Sequence, residues 1–256
     1  MKKKWITFDL DGTLMQNPFG EWVFPEIVQR YKKAVGNTEG VYNRLVKEHR
    51  KRMQEGFVVE AYNWDDIVRK VFFEFGMSES IDVTELVIKH SIRPKVYLLE
   101  RNVLQALGKL REQGFHLAVV TNGFEKYQKP VMDELGLTAL FDVIITPEKV
   151  GYGKPQTSMV NQLQAANNEI IAHVGDRIDH DVVFANELGV LSILIDLEMP
   201  EMIRNLDPRI RAKQCTEWLK GKWEKETETK TKFLPESSLP DLLIYTVEEI
   251  CRMPLR

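Results

Sequence analysis

The sequence predicts an α/β protein with a parallel sheet and a large helical insertion after the first strand. Short apolar runs bounded by turn residues recur along the chain, which is typical of strands buried on both faces. The segments between them are amphipathic, as in 103–110, where positions 103, 104, 107 and 110 are apolar. Strands that alternate with helices imply right-handed crossovers, and therefore a doubly wound sheet.

The predicted strands follow one another in chain order. They cover 5–8, 115–120, 141–145, 170–174 and 191–195, with 242–245 as a candidate sixth. Three of these runs lead directly into chemically capable residues, namely Asp9, Thr121 and Asp176. Because ligands of doubly wound sheets bind at the carboxyl ends of the strands, these positions are the first indication of a functional site.

Two segments interrupt this alternation. The first, about 16–92, contains four helical patterns at 22–34, 38–54, 64–75 and 83–90, which predicts a small helical cap domain between core segments 1–15 and 93–256. The second, 200–240, contains a run of mixed charges at 224–230 with little to bury. We therefore expect 200–240 to be an exposed, mobile insertion in the core.

Composition excludes several classes of function. The 256 residues carry a net charge of -3, and 43% are hydrophobic, which is sufficient for a packed core. Such a near-neutral balance argues against a nucleic acid polymer or a membrane as partner. The two cysteines form no CxxC pattern, and no apolar stretch matches a signal peptide or a membrane span. The expected compartment is the cytoplasm.

Four short motifs stand in a fixed order along the predicted strand ends. They are Asp9-Leu10-Asp11-Gly12-Thr13, Thr121-Asn122-Gly123, Lys154 before Pro155, and Asp176 with Asp181. Together they resemble the haloacid dehalogenase superfamily over roughly 5–196, with 16–92 where that family carries its first-type helical cap. The resemblance implies a Rossmann-like core.

The residue types also suit phosphate-ester hydrolysis, which requires a nucleophile, a proton donor and cancellation of phosphoryl charge. The Asp9 carboxylate is a suitable nucleophile, since the resulting acyl phosphate is itself easily hydrolysed. Asp11 shares the side-chain parity of Asp9 if the strand continues, so it is placed to protonate the leaving oxygen. Gly12 permits the backbone to turn and bring amides near the phosphoryl oxygens.

The resemblance assigns further roles. It implies a Mg²⁺ ion held by the Asp9 carboxylate, the Asp11 backbone carbonyl and Asp176, with Asp181 completing or supporting the site. Lys154 is expected to offset negative charge, and the Thr121 hydroxyl with the amide of Asn122 to bind a phosphoryl oxygen. The implied activity is that of a magnesium-dependent phosphomonoesterase acting on a small phosphorylated metabolite.

Several alternatives stay open. Asp11 argues against dehalogenation, because a halide leaves without a proton. Phosphonate hydrolysis needs a cap lysine; Lys32, Lys33 and Lys47 are available, although their pattern predicts solvated helix surface. A phosphotransferase or phosphomutase shares all four motifs. A non-enzymatic role would use the 200–240 insertion to bind a partner.

Specificity is expected to come from the cap and the loop that enters it. The candidates are Gln16, Asn17, Phe19 and Trp22. Four aromatic residues are candidates for stacking on a base, although aromatic residues at helical spacing are more often part of the core. They are Trp22, Phe24, Tyr62 and Trp64. Asp179 and His180 are expected to be structural or solvated.

Overall fold

The computed structural model of the chain describes residues 2–36, 39–77, 80–165 and 168–255. Its strands are β1 (Lys3–Phe8), β2 (Met15–Gln16), β3 (Tyr97–Leu98), β4 (His116–Val120), β5 (Val143–Ile145), β6 (Asn168–Gly175), β7 (Leu191–Ile195) and β8 (Leu242–Ile244). No helix in the described ranges is both long and apolar enough to cross a membrane.

The α-helices range from one turn to four. They are α1 (Phe24–Val35), α2 (Val41–Gln54), α3 (Val58–Ala61), α4 (Trp64–Glu74), α5 (Val83–His90), α6 (Val103–Glu112), α7 (Glu125–Leu135), α8 (Pro147–Val150), α9 (Asn161–Ala165), α10 (Val183–Leu188), α11 (Pro208–Gln214) and α12 (Thr216–Thr227). Two π-helical turns, Phe19–Val23 and Ile178–Val182, precede α1 and α10. Short 3-10 turns cover Thr138–Leu140, Thr157–Val160, Glu201–Ile203, Glu236–Ser238 and Val247–Arg252.

The six-stranded sheet has the order β5-β4-β1-β6-β7-β8, and every pair in it is parallel. The chain builds one half outward from β1 through β4 and β5, and the other through β6, β7 and β8. This arrangement confirms the predicted doubly wound α/β fold, including its sixth strand. The strand order reverses beside β1, so a crevice forms at its carboxyl end.

Helices α1 to α5 form the inserted cap between β2 and β3. These two strands pair antiparallel, Met15 with Leu98 and Gln16 with Tyr97, where the cap joins the core. Two-residue strands are too short to show a periodic pattern, so the sequence did not indicate them. Residue 38, where the second cap helix was predicted to start, lies outside the described residues.

The cap is fixed to the core along α7. Asp65, in the first turn of α4, accepts hydrogen bonds from the Tyr127 hydroxyl at 2.9 Å and the Lys126 ammonium at 2.5 Å. The Tyr127 hydroxyl in turn accepts from the backbone N–H of Asp65 at 3.1 Å, and its ring packs edge-on against Phe19. These contacts hold the cap over the carboxyl ends of β1 and β4.

The prediction of 200–240 as an exposed insertion needs correction, because part of the segment is buried against the core. This segment contains α11 and α12, and its apolar side chains form a second core cluster with residues of β7 and β8. The buried members from 199 onward include Met199, Ile203, Ala212, Cys215 and Leu219. Charges surround these apolar positions in the sequence and lower the local hydrophobicity, but Cys215 and Leu219 lie one helical turn apart and share a buried face.

Candidate active site

The first motif leaves β1 through a tight loop. The Asp9 N–H donates to the Val174 carbonyl at 2.8 Å and continues the sheet by one residue. The Leu10 carbonyl then accepts from Thr13, Leu14 and Met15 at 3.2, 2.8 and 3.0 Å. Asp11 therefore does not extend a strand, and the parity expected between it and Asp9 has no structural basis.

Gly12 lies in this loop with φ at +80°, in the left-handed region that favours glycine. A Cβ atom at this position would lie 2.5 Å from Asp176 Oδ2. The loop also brings the Thr13 hydroxyl to Asp176, where it donates to Oδ1 at 3.3 Å. Gly12 is thus required both by its dihedral angle and by its close approach to the fourth motif.

The Lys154 ammonium joins two of the predicted carboxylates. Its Nζ lies 2.6 Å from Asp9 Oδ1 and 2.5 Å from Asp181 Oδ1, and all three side chains are buried. The Asn122 side chain fixes the lysine backbone: its Oδ1 accepts from Lys154 N at 2.7 Å and its Nδ2 donates to Lys154 O at 3.2 Å. Asn122 therefore positions Lys154, a contact that the sequence did not indicate.

His173, inside β6, extends the network and was missed by the sequence reasoning. Its Nε2 lies 3.0 Å from Asp181 Oδ1, and its Nδ1 lies 2.8 Å from the Thr7 hydroxyl. Burial lowers the pKa of His173, so the ring is neutral. Since a carboxylate only accepts, Nε2 donates to Asp181 and Nδ1 accepts from Thr7. The available signal was the register: Thr7 and His173 are polar residues in two adjacent buried strands.

Asp9, Asp176 and Asp181 form an acidic cluster in which Asp9 and Asp181 are buried and Asp176 is half-buried. Each offers a carboxylate oxygen, and these atoms lie within 4.8 Å of one another. Burial raises the pKa of Asp9 to about 7, against the opposing effect of Lys154. Burial, Asp181 and Asp9 raise the pKa of Asp176 well above its usual range. Burial alone would raise the pKa of Asp181, but Lys154 and His173 outweigh it and lower that pKa.

This cluster is short of positive charge. Three carboxylates share one ammonium, so the ionised form carries an excess of two negative charges. Oxygen ligands and a charge deficit of two are what a hard divalent cation such as Mg²⁺ requires. The residues present therefore fit the implied metal.

Asp11 is held by a residue of α7. Gln128 Nε2 donates to Asp11 Oδ2 at 2.5 Å, and burial raises the pKa of Asp11 against the effect of this bond. Within the described part of the chain, Asp11 Oδ1 and Gln128 Oε1 are buried without a hydrogen-bond partner. Gly123 gives Gln128 room, since a Cβ there would lie 2.1 Å from Nε2.

The second motif follows β4, as predicted. The N–H of Thr121 donates to the Ile145 carbonyl at 3.2 Å, and its hydroxyl accepts from the Gly123 N–H at 3.2 Å. Thr121 is buried at the same edge of the sheet as Asp9. The four motifs therefore meet at the carboxyl ends of β1, β4 and β6.

A cavity of about 970 Å³ opens from Asp176 between the cap, the core and α12. Its lining includes His49 and Tyr62 from the cap, Asp176 and Arg177 from the core, and Lys222 and Glu226 from α12. Asp179 and His180 also line it, beside the acidic cluster. Of the four aromatic candidates, only Tyr62 is in this lining, while Phe24 and Trp64 pack in the core.

Of the other cap candidates, Asn17 lies beside Asp11, where its side chain acts to lower the pKa of that carboxyl. Lys32, Lys33 and Lys47 are exposed, and in the described part of the chain none of them lines this cavity. Asn17 accepts from the Phe19 N–H at 2.9 Å and shapes the loop that enters the cap. Trp22 lies on the outer surface of the cap, where Lys95 Nζ approaches its ring centroid at 4.6 Å.

Helix α12 supports the loop that carries the fourth motif. Glu226 Oε2 accepts from the N–H groups of Ile178 and Asp179 at 2.8 and 3.3 Å. Lys222 forms ion pairs with Asp196 at 2.9 Å and with Glu226 at 3.1 Å. The segment expected to be solvated thus forms one wall of the site.

Comparison with known proteins supports one family. The haloacid dehalogenase-like hydrolase family matches residues 3–189. A glyceraldehyde 3-phosphate phosphatase of Methanocaldococcus jannaschii is 27% identical over 201 residues, covering 75% of this chain and 84% of the relative. The protein of that name from Methanopyrus kandleri is 32% identical over 199 residues, covering 75% and 83%.

The fold supports the same assignment. The structure of a haloacid dehalogenase-type phosphatase from Thermococcus onnurineus superposes with a TM-score of 0.61 at 23% identity, covering 78% of this chain and 89% of that one. The family match spans well over half of the chain. The chain therefore belongs to the haloacid dehalogenase-like hydrolase family, among its phosphatases.

Proposed function

We propose that the protein is a magnesium-dependent phosphomonoesterase that acts on a small phosphorylated sugar through an aspartyl-phosphate on Asp9. The observation that carries this proposal is the cluster of Asp9, Lys154, Asp176 and Asp181, buried except for Asp176, which lines an open cavity. The two archaeal relatives named glyceraldehyde 3-phosphate phosphatase support a small sugar phosphate as the substrate class.

In the first step, an Asp9 carboxylate oxygen attacks phosphorus, and the ester P–O bond breaks as the new P–O bond forms. Lys154, at 2.6 Å, holds the Asp9 carboxylate in place and offsets its charge. The leaving alkoxide takes a proton from Asp11. Burial raises the pKa of Asp11, which favours the protonated carboxyl that this step needs, and Gln128 orients it.

In the second step, water attacks the phosphorus of the aspartyl-phosphate. Asp11, now ionised, takes the proton of this water, and the Asp9 carboxylate leaves unchanged. We propose that three groups bind the non-transferring phosphoryl oxygens: the backbone amides of the Gly12 loop, the Thr121 hydroxyl and the backbone amide of Asn122. Inorganic phosphate and the alcohol are the products.

When bound, Mg²⁺ would neutralise charge between the carboxylates and the phosphate group. The proposed ligands are the carboxylates of Asp9 and Asp176 and the backbone carbonyl of Asp11, with Asp181 completing or supporting the site. The charge deficit of the acidic cluster supports this set.

We also propose that 16–92 acts as a cap domain on a core of 1–15 and 93–256, with a hinge near Met15 and Arg93-Pro94. The short β2–β3 ladder at this junction supports the position of the hinge. Opening would admit substrate and closure would exclude bulk water. The free thiols Cys215 and Cys251 support the cytoplasm as the compartment.

The test is phosphate release from fructose 6-phosphate and p-nitrophenyl phosphate, with Mg²⁺ and with a chelator. We expect turnover with Mg²⁺ only, and its loss by at least about 10³-fold in Asp9→Asn. Asp133→Asn, at an exposed aspartate on α7 away from the site, is the matched control and should retain activity. A folded, active Asp9→Asn enzyme would exclude the mechanism.

A further inference from the structure

Helix α12 gives the cavity a wall that the family match does not include. The match ends at residue 189, whereas α12 spans Thr216–Thr227 and faces α2 of the cap across the space beside Asp176. Arg50 of α2 and Glu228 at the end of α12 form an ion pair across this space, at 2.8 Å. The two helices therefore enclose the part of the cavity that lies away from the reacting phosphate.

Most of the cations in this lining are already paired with carboxylates. Arg177 forms two hydrogen bonds to Asp179, at 2.9 and 2.8 Å, and Lys222 pairs with both Asp196 and Glu226. Together with the Arg50–Glu228 pair, three of the four lysines and arginines in the lining are neutralised by carboxylates. The fourth, Lys225, is exposed.

Acidic groups outnumber these cations. Six carboxylates line the cavity: Asp176, Asp179, Asp196, Glu198, Glu226 and Glu228. Even with Asp176 assigned to the metal, the remaining five exceed the four cations. A second phosphate group in this space would face repulsion, because no surplus of positive charge is available to balance it.

His49 of α2, which lines the same space, carries a neutral acceptor. Its Nδ1 lies 2.6 Å from the Ala61 carbonyl oxygen. Because a carbonyl only accepts, Nδ1 carries the proton, and burial lowers the pKa of the ring. Nε2 is therefore an acceptor, and in the described part of the chain it has no hydrogen-bond partner. Stacking on Trp64, with ring centroids 5.2 Å apart, holds the ring in position.

We infer that the space between α2 and α12 is a subsite for the uncharged, hydroxyl-bearing end of a sugar monophosphate, and that it rejects a second phosphate. This inference rests on the proposed phosphatase activity and specifies its substrate. Hydroxyl groups donate to the His49 acceptor and to the carboxylates of the wall, whereas an anion meets three cations that are already paired and only the exposed Lys225 besides, against an excess of carboxylates. The subsite selects by charge as well as by hydrogen bonding.

The first experiment compares fructose 6-phosphate with fructose 1,6-bisphosphate in Mg²⁺, with p-nitrophenyl phosphate as a substrate that has no sugar hydroxyls. We expect kcat/KM for the monophosphate to exceed that for the bisphosphate by about 10-fold or more. Glu198→Lys reverses one charge of the lining, and it should reduce this ratio about 5-fold. Glu201→Lys makes the same change outside the lining and should leave the ratio unaltered.

The second experiment tests the acceptor. His49→Phe keeps a ring against Trp64 and removes Nε2, so kcat/KM for fructose 6-phosphate should fall roughly 3- to 10-fold. Turnover of p-nitrophenyl phosphate should stay within about twofold of wild type. An equal loss on both substrates would show a structural effect and would remove His49 from the subsite.

The outcomes separate the inference from the proposed function. If p-nitrophenyl phosphate is hydrolysed and the bisphosphate is used as well as the monophosphate, the subsite inference fails and the phosphatase stands. If no ester is hydrolysed, the proposed function fails. Calorimetric binding of the two fructose phosphates to Asp9→Asn with Mg²⁺ then decides the subsite without turnover, and equal affinities would overturn it.

Discussion

The floor and the walls of the cavity are built on different principles. The floor consists of buried side chains at strand ends, where Lys154 joins Asp9 and Asp181 and His173 supports Asp181. The wall between α2 and α12 consists of partly exposed side chains, and one of its ion pairs, Arg50–Glu228, joins elements that are far apart in sequence. The floor is fixed by the sheet, whereas the wall depends on how the cap and α12 are placed.

The two regions also differ in charge. On the floor, three carboxylates lie around one ammonium, so the ionised cluster carries an excess of negative charge. On the wall, most of the charges are already paired, as with Lys222 and Asp196. The difference teaches that the proposed reaction draws on buried, unpaired negative charge, whereas the proposed selectivity draws on a wall whose cations are mostly paired and whose carboxylates are in excess. Changes on the floor should therefore have larger effects than changes on the wall.

The largest effect is expected for Lys154→Met. Removing the only ammonium from the floor leaves buried carboxylates without compensation, which costs about 3–5 kcal/mol of unfolding free energy. Activity should fall by about 10²- to 10³-fold. Urea unfolding with a chelator and with Mg²⁺ provides the measurement, and the cation should restore part of the lost stability.

Lys225→Met is the matched control for that variant, because Lys225 is exposed on α12. It should change the unfolding free energy by less than about 0.5 kcal/mol. Equal losses in the two variants would show that the floor is no more sensitive than the wall.

The next effect is expected for Gly12→Ala, which tests the close approach of the first and fourth motifs. A Cβ at Gly12 would lie 2.5 Å from Asp176 Oδ2, in addition to the strain of a φ of +80°. Gly189→Ala meets a similar φ, +71°, in open space. We expect about 1–2 kcal/mol for Gly189→Ala and about 1–3 kcal/mol more for Gly12→Ala.

Thermal or urea unfolding of the two glycine variants, together with their phosphatase activity, provides the comparison. Only Gly12→Ala should lose activity, because only there does the added methyl displace Asp176. If both variants remain fully active and equally stable, the contact between the two motifs is not needed.

Much of the fold followed from local patterns. Apolar runs at 5–8, 170–174 and 191–195 became β1, β6 and β7 within two residues at each end. Such runs can be recognised in the sequence because both faces of a parallel sheet are buried, so each strand is a continuous apolar stretch. Asp9, Thr121 and Asp176 could be identified for a related reason, since they come at the ends of β1, β4 and β6.

The missed features depend on contacts between distant residues. Gln128 reaches Asp11 across 117 positions, and Glu226 reaches Ile178 across 48. Neither glutamine nor glutamate in an amphipathic helix differs locally from any solvated polar residue. The error over 200–240 has the same origin, because Leu219 is buried only where β7 and β8 provide a surface for it.

A smaller effect is expected for Glu226→Ala on the wall. The change leaves the N–H groups of Ile178 and Asp179 without their acceptor and should cost about 1–3 kcal/mol. Since this loop also carries Asp176 and Asp181, kcat/KM should fall by about 10-fold. Glu226→Gln retains an acceptor oxygen and should lose less.

Glu217→Ala, at an exposed position on the same helix, is the control for a general effect on α12 and should lie within about 0.5 kcal/mol of wild type. Enzyme assays and urea unfolding of the three variants are the measurements. If Glu226→Ala and Glu217→Ala are indistinguishable, α12 packs beside the loop without supporting it.

The smallest effect concerns Glu26, on the outer face of the cap, where the charge pattern of the floor is inverted. One carboxylate there contacts Arg30 at 2.8 Å, Lys89 at 2.6 Å and His90 at 2.7 Å. Burial alone would raise the pKa of Glu26, but the hydrogen bonds from Lys89, Arg30 and His90 outweigh it and lower that pKa from 4.5 to about 2.

These contacts stabilise the fold above pH 4.5, and the stabilisation is lost as the pH falls from 4.5 toward 2. Glu26→Gln should therefore be less stable than wild type by about 0.5–1 kcal/mol near pH 7, with a smaller difference near pH 3, in urea unfolding at both pH values. If the stability difference between Glu26→Gln and wild type does not change with pH, Glu26 stabilises the cap through packing. The surrounding cations would then not contribute to stability through their charge, in contrast to the charges expected to matter on the floor.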